Sequence, residues 1–195
     1  MREKVLILTP FAHPNIGGAE SFCSRLFDEL SKQYDVSVCT IDWGKQKLFA
    51  GTGIRQFLEV FPRLFISAIM AVRCQTYEKC YCVGLNAAFI GAIFNAVWGF
   101  KAEGVLLALY EFASINPLLR AFSGFCLKRM ETVFVEGENG KIDLAPLGIP
   151  ESKIVIFQHW VDHNIYKPNE RKDKKDVVVL CIGRLSLRIK GVHII

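Results

Sequence analysis

Short unbroken apolar runs recur along the chain, separated by longer stretches in which apolar residues return every three or four positions. The runs are Val5 to Leu8, Val36 to Thr40, Cys80 to Val83, Val105 to Tyr110, Thr132 to Val135, Ile154 to Phe157 and Val177 to Ile182. A strand with one wet face alternates apolar and polar residues, whereas a strand covered on both faces stays apolar throughout. The unbroken runs therefore predict a parallel sheet covered by helices. The first helical stretch agrees: Phe22, Cys23, Leu26, Phe27 and Leu30 share one stripe, and Arg25, Asp28, Glu29 and Lys32 face away. A second helix is expected to open at Pro62. A fourth is expected at Asn116 and Pro117, a capping residue followed by a ring preset for a first turn. Strand and helix alternating in this way predict a doubly wound α/β domain.

Two stretches test that picture. Tyr81 to Phe100 is nearly free of charge and about long enough to span a bilayer. Gly84, Asn86, Gly91, Asn95 and Gly99 interrupt it, and it divides better into a short strand followed by a buried helix. The opening "MREKVLILTPF" reads as a strand rather than a signal peptide, because its apolar run is short and leads into a loop. Farther on, "KPNERKDKKD" is almost wholly charged and polar before "VVVLCI" begins abruptly, which is how an interdomain linker looks. The expected organisation is a first domain over 1–167, a linker over 168–176 and a closing piece over 177–195, the last too short to fold alone.

Composition adds little to fold and something to setting. The net charge is +5, a modest bias toward anionic ligands or an anionic membrane surface. No dense basic stripe with interleaved aromatics appears, so nucleic acid is not an expected partner. Seven cysteines, at 23, 39, 74, 80, 82, 126 and 181, lie scattered in apolar surroundings without a C-x-x-C spacing. They predict buried thiols in a reducing compartment, by default the cytoplasm.

Candidate chemistry sits in the loops after strands, where open parallel sheets bind ligands. The loop "TPFAHPNIGGAES" places Gly17 and Gly18 directly before the first helix. Glycines let the backbone approach a ligand, and the helix's first N–H groups carry the positive end of its dipole, so a phosphate or carboxylate fits there. A tight turn is the plainer reading. Neither G-x-G-x-x-G nor G-K-[ST] is present, which excludes the dinucleotide fingerprint and the P-loop. Near the other end, Gly183 and Arg184 follow "VVVLCI", with Lys190 and Gly191 where a helix should begin. A planar guanidinium and an ammonium together suit a diphosphate; a solvated basic turn is the alternative.

Three segments taken together, "PNIGGAE", "LGIPESKIVIFQHWVDHNIYKP" and "IGRLSLRIKGV", resemble in order and spacing the retaining glycosyltransferases of family four, which have the GT-B fold of two Rossmann-like domains. The resemblance implies an acceptor-side domain up to about Lys167 and the start of a donor-side domain from Val177. It implies a hexosyltransferase that moves a sugar from a nucleotide-sugar donor to a glycan or lipid-linked acceptor. Gly17 and Gly18 resemble the loop facing the donor's phosphate and sugar, and Arg184 and Lys190 look like the pair that neutralises the diphosphate leaving group. Fixed cations beside a helix N-terminus stabilise that charge without a metal, so no metal and no cofactor beyond the donor is expected.

The departures from that pattern are specific. In "LLALYEFAS", Tyr110 and Glu111 stand where many relatives have a histidine, and either could hydrogen-bond sugar hydroxyls, with Glu111 able to act on a proton. A structural tyrosine and a solvent-facing acid are the alternative. Gln158, His159 and Trp160 replace a Pro-Asn-Gly, making His159 a hinge or packing residue. "EGENGK" brings Glu136 and Glu138 near the cleft in place of a serine. The glutamate motif that holds the nucleotide lies beyond Ile195 in relatives, so the chain is expected to be an incomplete, inactive portion whose uncovered surface favours a homodimer. Around "FLEVFPRLFISAIMAVRCQTYEK", Arg55, Arg63, Arg73 and Lys79 beside an apolar helix suggest a peripheral face on the inner membrane surface; a core helix with snorkelling arginines is the alternative. A GT-B sugar-nucleotide epimerase or hydrolase, and a non-catalytic module binding a glycan or a partner, remain as other readings.

Overall fold

The computed structural model describes residues 2–11, 18–41, 54–107, 117–158 and 167. Contacts separate Met1–His159 from Trp160–Ile195, and the fold below is that of the first unit. Its elements are β1 (Lys4–Leu8), α1 (Gly18–Ser31), β2 (Asp35–Cys39), α2 (Ile54–Cys74), β3 (Lys79–Val83), α3 (Leu85–Trp98), β4 (Ala102–Leu106), α4 (Pro117–Leu127), β5 (Val133–Glu136), α5 (Gly137–Leu144) and β6 (Ile154–Phe157). Short 3-10 turns at Ala145–Leu147 and Glu151–Lys153 join α5 to β6.

The strands pair in the order β2-β1-β3-β4-β5-β6, and every pairing is parallel. Side chains alternate between the two faces as the pleat requires. Leu6, Leu8, Cys80, Cys82, Ala102, Leu106, Val133 and Val135 enter one core with α2, α3, α4 and α5. Ile7, Val83 and Val105 enter a second, smaller core with Phe22 and Cys23 of α1. This division follows from right-handed crossovers: the chain steps one way from β1 to β2, then the other way through β3 to β6. The sheet is thus the Rossmann-like α/β layer expected from the unbroken runs.

Helix α3 sits at the centre of the larger core and carries no charged residue. Ala87, Ala88, Gly91 and Ala92 are small enough to bring it close to the strands, and all are buried. A Cβ at Gly91 would collide with the Cys82 sulfur and lie 3.2 Å from the Ala102 Cβ. Beyond Trp98 the helix stops at Gly99, left-handed at φ 66°, whose N–H donates to the Asn95 carbonyl. The stretch from Tyr81 to Phe100 is therefore strand plus buried helix. Among the described residues no helix is long and apolar enough to cross a membrane.

Several expectations need correction. Helix α2 does not open at Pro62; it begins at Ile54 and carries Pro62 inside. The missing N–H leaves the carbonyl of Leu58, four residues earlier, without its helix bond, but Leu58 and Pro62 both face solvent, where that group is open to water. Strand β4 begins at Ala102 rather than Val105, so Glu103 lies inside the sheet, only 8% exposed. Phe27, expected in the buried stripe of α1, is exposed. The runs in β2 and β6 mark edge strands, and Val38, Val155 and Ile156 stay exposed there. Helix α4 does open at Pro117. Residues 177–182 lie outside the described residues.

Candidate functional site

Strand order reverses between β1 and β3: β1 connects outward to β2, and β3 continues in the other direction. Open parallel sheets bind ligands outside the carboxyl ends of strands at such a reversal. The residues closing β1 are held tightly. The Thr9 N–H donates to the Cys39 carbonyl at 3.0 Å, and the buried Thr9 hydroxyl accepts from the Phe11 N–H at 3.0 Å. The same hydroxyl lies 3.4 Å from the Cys23 sulfur, so the first turns of α1 are tied to the end of β1. Burial pushes the Cys23 thiol up to about 11, although the Thr9 contact opposes it.

Phe11 then lies against Gly84, the residue between β3 and α3. Gly84 adopts φ 88° and donates its N–H to the Val105 carbonyl at 2.8 Å. Its own carbonyl accepts the first bond of the next helix, from the Ala88 N–H at 3.0 Å. The N–H groups of Leu85, Asn86 and Ala87 consequently have no partner within the helix. The first turn of α3 contains no acid and no side-chain cap, so its positive dipole end is not offset. Two side-chain oxygens at this edge, Asn86 Oδ1 and Thr40 Oγ1 after β2, are buried without a hydrogen-bond partner.

Gly18, one of the expected donor-facing residues, is the first residue of α1 at the same edge. Among the described residues neither packing nor backbone requires a glycine there. Its φ is not in the left-handed range, and an added Cβ would meet nothing within 4 Å. The contrast with Gly84, demanded by both φ and the Phe11 ring, marks Gly18 as open backbone at a helix start. Gly17, Tyr110, Glu111, Arg184, Lys190, His159 and Trp160 lie outside the described residues.

Glu136 and Glu138 do stand at the carboxyl edge, as the end of β5 and in the first turn of α5. Acids at a helix N-terminus are favourable, which gives them a structural role there. They are three strand steps from β1 in the sheet order, about 14 Å at the usual spacing, so they are not brought together with Gly18. Gln158 follows β6 and is exposed. What sequence reading missed is the β3–α3 junction. The available signal was "CVGLNAAF", a glycine between strand and helix followed by one polar residue in an apolar run.

Two other polar features lie elsewhere. On the α1 side of the sheet, the buried Glu103 carboxylate sits 3.9 Å from the Lys79 ammonium and accepts from the Tyr81 hydroxyl. Burial first, then Glu103, pushes Tyr81 up to about 12. Lys79 is therefore a partner of Glu103 and not part of the outer face of α2. A hollow of about 550 Å³ bounded by Arg2, Lys4, Ser31, Tyr34, Asp35 and Val36 lies at the opposite, amino-terminal edge. Arg2 there donates to the Ser31 carbonyl, and the hollow is remote from the strand reversal's ligand side.

Neither a protein-family model nor a curated protein sequence matches the chain. Solved structures do. Sucrose-phosphate synthase from Thermosynechococcus elongatus superposes with a TM-score of 0.66 at 13% identity, over 87% of this chain and 51% of that one. A Listeria monocytogenes protein assigned as a UDP-N-acetylglucosamine 2-epimerase superposes at 0.53 with 11% identity, over 79% of this chain and 44% of that one. The chain spans about half the length of the structures it matches. At such identities the likeness establishes the fold: a Rossmann-like α/β sheet of the kind that makes up part of GT-B proteins.

Proposed function

We propose that this chain is part of a sugar-nucleotide enzyme of the GT-B type, a retaining hexosyltransferase acting on a nucleotide-sugar donor and a glycan or lipid-linked acceptor. The observation that carries the reading is Gly18: a helix start at the strand reversal, with its backbone left open by a glycine that the fold does not need. Beside it on the ligand edge, α3 begins without an acid or side-chain cap. Both features favour a phosphate group, whose oxygens accept from free N–H groups at the positive end of a helix.

In this reading Gly17 and Gly18 face the donor's phosphate and sugar, and Arg184 and Lys190 neutralise the diphosphate as the glycosidic bond breaks. Charge held in place before reaction needs no reorganisation during it, which is how such groups lower a barrier. Tyr110 and Glu111, which follow β4 in sequence, hydrogen-bond sugar hydroxyls. No metal is required, because the leaving group's charge is met by the cations and helix dipoles. Epimerisation of a sugar nucleotide is the second reading, favoured by the likeness to the Listeria protein. It needs the same diphosphate site and no acceptor.

The test is a thermal-shift series with UDP-, ADP- and GDP-sugars on the complete enzyme of which this chain is proposed to be part, and on its Gly18→Asp variant. At least one donor is expected to raise the midpoint of the wild-type protein. The aspartate has room in the fold and suits a helix start, so the variant should fold normally yet lose the donor's effect. Equal responses of the two proteins, or no response to any donor, would contradict the reading.

A further inference from the structure

From the exposed faces of α2 and α3, we infer that this layer is a docking surface for an anionic membrane, independently of the sugar-transfer reading. Helix α2 is apolar on two opposite sides. Val60, Leu64 and Ala68 repeat every four residues and are fully buried against the sheet. Leu58, Pro62, Ile66 and Met70 repeat with the same spacing, two residues out of step, and form a second row that faces solvent. Two residues correspond to about 200° of helix rotation, so the second row points away from the first. An exposed apolar row opposite a buried one calls for a second apolar environment.

The row continues onto the neighbouring helix. Phe61 stacks on Phe65 at 5.7 Å between ring centres, Phe65 meets Phe94 of α3 at 6.1 Å, and Phe94 meets Trp98 edge-on at 5.2 Å. This ladder links the outer part of α2 to the carboxyl end of α3, where Val97 and Trp98 emerge. Leu58, Ile66, Met70, Val97 and Trp98 are each between 58 and 63% exposed, large side chains that water solvates poorly.

The charges beside the row choose the occupant. Arg63 and Arg73 are exposed on α2, and Lys101 is exposed just past α3. Helix α2 contains a single acid, Glu59, and α3 contains none. A face with apolar side chains, a tryptophan and flanking cations is the composition of helices that rest in the headgroup region of anionic bilayers. Long basic side chains reach lipid phosphates while their stems stay with the acyl boundary. Pro62 within the helix is no obstacle, since a helix lying on a membrane keeps its polar backbone paired or wet at the interface.

The test is co-sedimentation of the full chain with vesicles of phosphatidylcholine alone and of phosphatidylcholine mixed with phosphatidylglycerol. Binding is expected only to the anionic vesicles and should fall as salt rises. Arg63→Gln and Arg73→Gln should each weaken it roughly fivefold, the usual effect of one basic residue at such a surface. Ile66→Ser with Met70→Ser should also weaken it, with unchanged circular dichroism because both side chains are exposed. Tryptophan emission should shift to shorter wavelength on binding, and Trp98→Phe should remove part of that shift. Equal binding to neutral vesicles, binding unaffected by these substitutions, or no binding would overturn the inference. So would light scattering showing a dimer that the Ile66→Ser, Met70→Ser pair converts to a monomer, because the face would then belong to a second copy.

Discussion

A Cβ on Gly84 would stand 2.9 Å from Cε2 of Phe11, so the end of β3 accepts the aromatic ring that follows β1 only because residue 84 has no side chain. The contact joins the two loops that flank the strand reversal, and the same glycine sits at φ 88°. Gly84→Ala should therefore lose about 1–3 kcal/mol of stability, the usual range for a side chain forced into a sparsely populated backbone region. Chemical denaturation measures it. Adding Phe11→Ala should recover only the steric part, so a double mutant as stable as Phe11→Ala alone would refute the backbone component.

Gly91 gives a matching prediction on the buried side of α3. Gly91→Ala should destabilise by about 1–3 kcal/mol, because an extra methyl in a filled core forces neighbours to move. The atom in the way is the Cys82 sulfur. Cys82→Ala removes it, and Gly91→Ala should cost measurably less in that background than in the wild-type protein.

The thiols predict a pH dependence. Burial raises Cys23, Cys39 and Cys126 from 9.0 to about 11. The unfolded chain then loses protons at lower pH than the folded one, so the contribution of these thiols is complete below pH 9.0 and declines as pH rises toward about 11. Denaturant midpoints across that range should fall, and Cys39→Ala should flatten the fall. Alkylation of the native protein followed by peptide mapping should label Cys74, which is exposed, and spare Cys23, Cys39, Cys80, Cys82 and Cys126, which are buried. Labelling of the buried set at the rate of Cys74 would contradict the packing.

Pro62 offers a fourth prediction. Inside an exposed helix face, Pro62→Ala restores the N–H that the Leu58 carbonyl lacks and removes the ring's clash. The variant should be at least as stable as the wild type, by up to about 3 kcal/mol, the spread between the two residues in helix interiors. A loss of stability would contradict the reading that Pro62 only costs α2 a hydrogen bond.

Six of the apolar runs correspond to β1 through β6, because two-sided burial leaves a direct mark on composition. The start of β4 was hidden by Glu103, a residue that reads as solvent-facing until Lys79 and Tyr81 are seen beside it. Pro62 misled for a related reason: proline ends helices in general, and only the solvent exposure of the Leu58 turn makes this one tolerable. Of the candidate site, Gly18 was legible because loop and helix start are contiguous in sequence. The junction at Gly84 and Asn86 was not, since its proximity to β1 depends on strand order, which no local pattern encodes. Likewise the burial of Thr40 Oγ1 and Asn86 Oδ1 exists only once the edge of the sheet is assembled.

The strand reversal, with α1 opening at Gly18 and α3 opening after Gly84, is proposed to receive the phosphates of a nucleotide sugar. Backbone amide resonances of this chain within the complete enzyme, followed by heteronuclear NMR during titration with a nucleotide sugar, are the direct test. Saturable shifts concentrated at Gly18, Leu85, Asn86 and Ala87 are the predicted result. Shifts confined to other parts of the sheet, or none at any of these amides, would contradict it.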